Sequence, residues 1–376
     1  MDPQGQFCHT PTCPARGQRG QGTIRVQSRK ERRYRCTTCG RTVAATTGTP
    51  FYRLHRAADL LVLVLTLLSH GCPLQAIVAA FDLDERTVAR WQARAGQHGQ
   101  RVHEHLVQQG GVELGHVQAD ELWVKVVGGT VWYPEGTRMA LAVPSRLWLG
   151  GVVSAQRDGE LIRRVVQIVR RCARSFAFLI CVDGLSSDVT AVLRVFRHPI
   201  RTGRRGRPRL VVEPGLLLAQ VVKHYARRRV VGVRRRVVRG TPEAVATVLA
   251  ATASGTTINT ADIERLNATF RSCLAPLIRR GRALAHQPGM LTAGMYLVGC
   301  AYNLCRTHRS LRLAAPRGTD HRWVERTPAM AAGLTDHRWT MADLLRYQVP
   351  VPLWVAPKRR GRPPKRRETP ALAGAA

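Results

Sequence analysis

Four cysteines near the N-terminus constrain the chain more than any other feature. They stand at Cys8, Cys13, Cys36 and Cys39, as C-x4-C, then 22 residues, then C-x2-C. Two close pairs at this separation let four thiolates converge on one tetrahedral ion, and sulfur ligands in that number point to structural Zn2+. The segment around them, residues 1–50, is rich in Cys, Arg, Gly and Thr and poor in apolar side chains. It cannot build a core unaided and needs such a staple. The intervening GTIRVQSRKERRYRC reads as strands of a zinc ribbon, and the Gly in RCTTCGR frees the turn around the metal. Arg29 to Arg35 would offer phosphate contacts. The other cysteines (Cys72, Cys172, Cys181, Cys273, Cys300 and Cys305) sit among apolar residues and read as small core side chains.

Charge sets the class of partner. The chain has 376 residues, and Lys and Arg number 59 against 24 Asp and Glu, a formal net charge of +35. A surplus of that size calls for a polyanion. Most of it is Arg, whose planar fork pairs bidentately with phosphate, so double-stranded DNA is expected ahead of a membrane. The longest apolar stretch, Ala57 to Leu68, is interrupted by Asp59 and Thr66 and falls short of the roughly 20 residues a spanning helix needs. The opening residues show no basic stretch followed by an apolar core. A cytoplasmic location is expected, at the nucleoid in a bacterium, where cysteines stay reduced.

Residues 54–108 have helical periodicity. The stretch PLQAIVAAFDLDERTVARWQARAG fits a helix, a short turn and a second helix, with Asp84 as the cap of the second. Arg86, Arg90 and Arg94 recur four apart on one face, as a recognition helix in a major groove would place them. From Val112 the pattern turns to strands and helices in alternation. His116–Val127 and Met139–Val153 are β-rich, Glu160–Ala173 is helical, and FAFLICV is a buried strand. Helices are expected at Thr241–Thr252, Ala261–Leu274 and Leu291–Cys305. This order suggests an α/β sheet with helices packed on it.

Acidic residues are scarce here, so those in apolar settings stand out. Asp120 lies mid-strand in HVQADELWVKV, Asp183 ends the strand FLICVDG, and Glu264 lies on the helix INTADIERLNATFR. Three carboxylates from two strands and a helix can hold two divalent ions about 3.5–4 Å apart, the arrangement for in-line phosphoryl displacement. Hard oxygen ligands suit Mg2+ or Mn2+. Asn267 and Arg271 share the helix face of Glu264, which would set Arg271 on the DNA backbone. Glu121, Asp188 and Asp262 lie near the three. Asp120 is preferred to Glu121, which points to the opposite face of its strand, and Asp262 lies well round the helix from Glu264.

The segments ADELW, CVDG, INTADIERLNATFR and AYNLCRTHRSL resemble those of DDE transposases of bacterial insertion sequences. They are most similar to the group whose proteins join a zinc finger and a helix-turn-helix to an RNase H-like domain. The resemblance spans about residues 5–315. It implies Asp120, Asp183 and Glu264 as the catalytic, metal-binding triad, an RNase H-like mixed sheet flanked by helices, and Arg271 against substrate DNA. Composition and pattern along the chain divide it into 1–50 zinc ribbon, 54–108 helix-turn-helix, 112–315 catalytic domain of the RNase H-like kind that the resemblance implies, 316–356 C-terminal extension and 357–376 basic tail, read as disordered with an AT-hook-like motif. Two ends of an element must be held together, so a homo-oligomer on DNA is expected. A DNA-binding regulator without catalysis, and a metal-dependent nuclease or resolvase, are the rival readings. The tetrapeptide RGRP occurs twice, bringing Arg205, Arg207, Arg360 and Arg362 into AT-hook-like settings suited to a narrow minor groove.

Overall fold

The computed structural model describes residues 1–128, 131–154, 159–201, 203, 205–227, 229–252, 255–278, 287–316 and 322–357. Arg360 and Arg362, with the tail copy of RGRP, lie outside the described residues. The chain divides into two compact units, Met1–Thr47 with the stretch from Pro350, and Gly48–Val349.

The first unit is a three-stranded antiparallel sheet, β1 (Ile24–Ser28), β2 (Arg33–Cys36) and β3 (Thr42–Ala44). Its buried cluster is Cys8, Cys13, Ala15, Ile24, Tyr34, Cys36 and Val43. Gly40 takes φ +70°, which a side chain would resist, and its amide reaches back to the Cys36 carbonyl at 2.9 Å.

The second unit opens with three helices, α1 (Ala58–Ser69), α2 (Leu74–Phe81) and α3 (Glu85–Leu106). Asp82 ends α2 in the left-handed region at φ 48°, Leu83 is buried, and Asp84 caps α3 by accepting the Thr87 amide at 3.1 Å. The expected cap is therefore present, and the turn between the two helices is three residues long. A sheet follows, built from β4 (His116–Gly128), β5 (Val131–Ala142), β6 (Leu147–Ser154), helix α4 (Gly159–Cys172), β7 (Leu179–Asp183), helix α5 (Ser186–Val195), a hairpin β8 (Arg197–Ile200) and β9 (Arg209–Val212), then β10 (Leu217–Ala226) and β11 (Arg229–Arg239). Its order is β11-β10-β7-β4-β5-β6. β4, β7 and β10 run parallel, while β5, β6 and β11 run antiparallel to their neighbours. The fold is thus a mixed six-stranded sheet flanked by helices.

Alternation along the strands divides the core. Val117, Ala119, Ile180 and Val182 face α4 and α5. Leu122, Val124, Met139 and Trp148 face α7 (Ala261–Cys273) and α8 (Pro288–Cys300). Leu179, Cys181 and Ala219 meet α6 (Pro242–Ala251). The residues 197–240, which read in sequence only as a basic stretch, are mostly strand. β11 lies at the edge of the sheet, where its arginines oppose further pairing. The helix expected over Leu291–Cys305 is α8 followed by a wider π turn at Ala301–Cys305. That turn brings Asn303 onto Trp148, whose backbone N–H and carbonyl it clips at 2.9 Å each. Beyond it lie a small hairpin, β12 (Leu313–Ala314) and β13 (Trp323–Val324), and helices α9 (Pro328–Ala331) and α10 (Met341–Arg346). No helix among the described residues is long and apolar enough to cross a membrane.

α3 is long because it serves two ends. Its first turns pack with α1 and α2, and its later turns lie against α8. A Cβ at Gly96 would strike the backbone of Ala293, so the two helices approach as closely as chains can. At Gly299 a Cβ would enter the ring of Trp148. That ring is fully buried against His103, Phe270 and Tyr296 and cannot move aside. Gly299→Ala is therefore expected to destabilise the second unit by about 3 kcal/mol through overpacking, read as a lower urea midpoint. An unchanged midpoint would show that the Trp148 pocket can relax.

Candidate metal centre and active site

The four N-terminal thiols meet. Their sulfurs all lie within 4.8 Å of one another, with Cys8 to Cys39 at 3.7 Å and Cys13 to Cys36 at 3.9 Å. A tetrahedron of sulfur at about 2.3 Å from zinc has edges of about 3.8 Å, so the set fits one structural Zn2+. The antiparallel register carries Cys36 to the end of β2, opposite Ile24, and the Gly40 turn brings Cys39 back beneath it. All four positions are filled by protein, which leaves no open site for chemistry.

A different kind of site lies at the carboxyl ends of the parallel strands in the second unit. The register pairing Ala119 with Val182 continues to place Asp120 beside Asp183. Both side chains leave the sheet on the face that packs α6 and α7. Glu264 enters from the first turn of α7. The three carboxylates line one cavity of about 630 Å³, together with Arg138, Lys223, Asn267 and Arg271. Asn267 donates to Asp120 Oδ2 at 2.7 Å, and Lys223 Nζ donates to Glu264 Oε1 at 2.7 Å. Asp183 Oδ1 is buried and has no hydrogen-bond partner among the described residues.

Electrostatics make this arrangement costly without a cation. Burial, and then the charge of Asp183, push the Asp120 carboxyl above the ordinary range. Burial also raises Asp183, with Glu264 adding to it and Lys223 opposing. Its hydrogen bond to Glu264, reinforced by the charge of Asp183, holds the Lys223 ammonium above its usual value. Lys223 now sits where the negative charge gathers. The carboxylate oxygens do not converge as the thiols do, for among the described residues only the cysteine set has all its ligand atoms within 4.8 Å.

Two fully buried glutamines hold the site's frame. Gln118 lies two residues before Asp120 on the same face of β4. Its Oε1 accepts the Asp262 and Ile263 amides at 3.0 Å each, and its Nε2 donates to Asn259 Oδ1. It thereby ties the start of α7 to the strand that carries Asp120. Gln220, on β10, donates to the carbonyls of Asp183 and Leu185 at 3.0 Å and accepts from Arg236. Arg138 forms a buried ion pair with Asp188 at 2.6 Å, and both residues line the same cavity as the triad. Gln118→Leu keeps the volume and strands two buried amides. It is expected to cost about 2 kcal/mol or more, with hydrogen exchange quickening first at the start of α7. Equal protection there would mean that the glutamine is not the anchor.

The other acids near the triad are placed differently. Glu121 sits opposite Arg138 in the register, on the face away from Asp120, although its side chain lines the cavity. Asp262 is ion-paired with Arg146. The basic residues expected to meet DNA divide. Arg86 and Arg90 are exposed on α3, while Arg94 is half-buried and donates to the Tyr52 carbonyl. That bond reaches a loop 42 residues earlier in the chain. Arg271 lines the acidic cavity, and Arg205 and Arg207 are exposed in the loop between β8 and β9.

Sequence reading missed Lys223, Arg138, Gln118 and Gln220. Gln118 alone left a signal, an uncharged polar residue on the same face of the strand as Asp120 and two residues before it. Comparison with protein-family models and with curated proteins returns no match.

Proposed function

We propose that the second unit cuts and joins DNA strands with divalent cations, as the catalytic part of a transposase of the insertion-sequence DDE kind. The observation that carries this reading is that Asp120 and Asp183 each follow directly on the paired Ala119 and Val182 of adjacent parallel strands and line one cavity with Glu264. The sheet supports it. Three antiparallel strands joined through β4 to two parallel ones follow the order of an RNase H-like sheet, with β11 added at the edge. The capped helix pair α2–α3, with Arg86 and Arg90 exposed, suits a helix-turn-helix reader of duplex DNA. Strand transfer joins two element ends, so the working form is read as a homo-oligomer on DNA.

Asp120, Asp183 and Glu264 would hold Mg2+ or Mn2+. The donor set fits a hard cation in kind, and the unpartnered Asp183 oxygen is a ready ligand atom. Bound there, such ions would lower the pKa of an attacking hydroxyl and neutralise the leaving oxygen. The chain's own residues do the rest. Asn267 donates to Asp120 Oδ2 and the Glu121 amide donates to Asp120 Oδ1, each at 2.7 Å, and the two bonds together fix the rotamer of Asp120. Gln220 fixes the turn after Asp183. Lys223 has to release Glu264 for that carboxylate to turn inward, and its ammonium then lies free to meet a phosphate oxygen. Arg271, on the same wall, offers a second cation to the backbone.

Purified full-length protein is incubated with a duplex carrying the gene's flanking DNA, in Mg2+ or Mn2+. The expected products are metal-dependent nicks and joined strands, absent with Asp120→Asn. Tight binding without cleavage in either metal would overturn the catalytic reading in favour of a DNA-binding regulator. Nicks with no joined product would make the protein a nuclease or resolvase.

A further inference from the structure

After the π turn, the chain builds a second cavity of about 540 Å³ that the proposed chemistry does not use. Its lining includes His308, Arg309, Arg312, Arg322, Trp323 and Glu325. Three guanidinium groups thus surround one carboxylate. That carboxylate is itself engaged, for Thr307 Oγ1 donates to Glu325 Oε2 at 2.9 Å. Among the described residues, no acid pairs with Arg309, Arg312 or Arg322.

The indole of Trp323 gathers the cations. The guanidinium carbon of Arg312 lies 4.0 Å from the ring centroid and that of Arg322 lies 5.4 Å away. β12 and β13 fix this arrangement by pairing Ala314 with Trp323. Two like charges on one ring repel, and a cation–π contact of about 0.5–1 kcal/mol at an exposed site offsets only part of that. An anion bridging the two forks would complete the arrangement. His308 packs edge-on against Tyr302 at 4.6 Å. Burial, with the charges of Arg146 and Arg306, holds its imidazole down to about 4. It is therefore a neutral hydrogen-bonding group at pH 7.

We propose that this pocket binds a backbone phosphate of DNA, with Arg312 and Arg322 as its ligands on the Trp323 platform. Planar forks match phosphate oxygens bidentately. The volume exceeds that of phosphate alone and lies within the range of nucleotide-sized sites, about 300–1,000 Å³. The pocket is open, with Arg309, Arg322 and Trp323 exposed, which suits a continuous strand passing over it. The inference rests on DNA being the ligand of this chain but not on cleavage, so failure of the nicking assay leaves it standing.

The test measures affinity of the full chain for a short duplex across a salt series. Arg312→Ala with Arg322→Ala is expected to weaken binding about tenfold and to lower the slope of log K against log salt by about two, one for each lost phosphate contact. Trp323→Ala removes no charge and is also expected to weaken binding, because the forks lose their platform. Each variant's melting curve should match wild type, since the residues altered are exposed or half-buried. Inorganic phosphate serves as the second probe. Variants that lose phosphate binding yet keep wild-type DNA affinity would make this a small-anion site and overturn the proposal. Unchanged affinity for both probes would overturn it outright.

Discussion

Asp183→Asn is expected to abolish the proposed metal-dependent strand cleavage, by about 10³-fold or more, and at the same time to stabilise the metal-free protein. The two effects have one cause. Asp183 is held above the ordinary carboxylate value of 3.8 by burial and by Glu264, against the pull of Lys223. A carboxyl whose pKa is higher folded than unfolded keeps its proton longer in the folded state. The folded protein then loses stability as pH rises from about 3.8 through that raised value. Asn carries no such penalty. The variant should melt above wild type at neutral pH without divalent ions, and the gap should close as pH falls towards 3.8. Mg2+ reverses the order. At ten times its dissociation constant it should add about 1.4 kcal/mol to wild type and little to the variant. Calorimetry at two pH values, with and without Mg2+, reads all of this. A variant that melts below wild type in the absence of metal would show that Asp183 is a structural cap, and the site would have to be moved.

The carboxylates were legible because their signals are local. A charged residue in the middle of an alternating strand, and another at the end of an apolar one, mark positions where side chains reach a sheet edge. The cysteine pairs and the Asp84 cap are local in the same sense. The residues that complete the site are not. Lys223 is the one Lys or Arg within the mostly apolar β10, but it stands just before the arginine run that follows Ala226, so it reads as one more solvated cation. Arg138 and Asp188 become partners only once β5 and α5 are folded onto one another. The bond from Arg94 to the Tyr52 carbonyl, 42 residues earlier, is of the same non-local kind, and periodicity does not reveal it.

Stripping zinc, or Cys36→Ser, is expected to unfold the first unit while the second stays folded. The buried cluster of that unit has seven members, three of them metal-binding cysteines, and its strands are five, four and three residues long. So small a core falls well below what supports a fold unaided. Structural zinc contributes about 10–16 kcal/mol in comparable sites, which exceeds the whole stability of a typical domain. Without the ion, four thiols would remain in a space sized for a metal. The second unit has its own extensive core and no share in those ligands. Hydrogen exchange should therefore show residues 8–44 losing protection together on chelation while β4, β7 and α8 keep theirs. The metal should leave at one equivalent per chain, and acid should release it as the thiolates take up protons. Protection of β1 to β3 that survives complete removal of zinc would mean that the cysteines pack as ordinary side chains. In that case the match between their spacing and a tetrahedron would carry no metal.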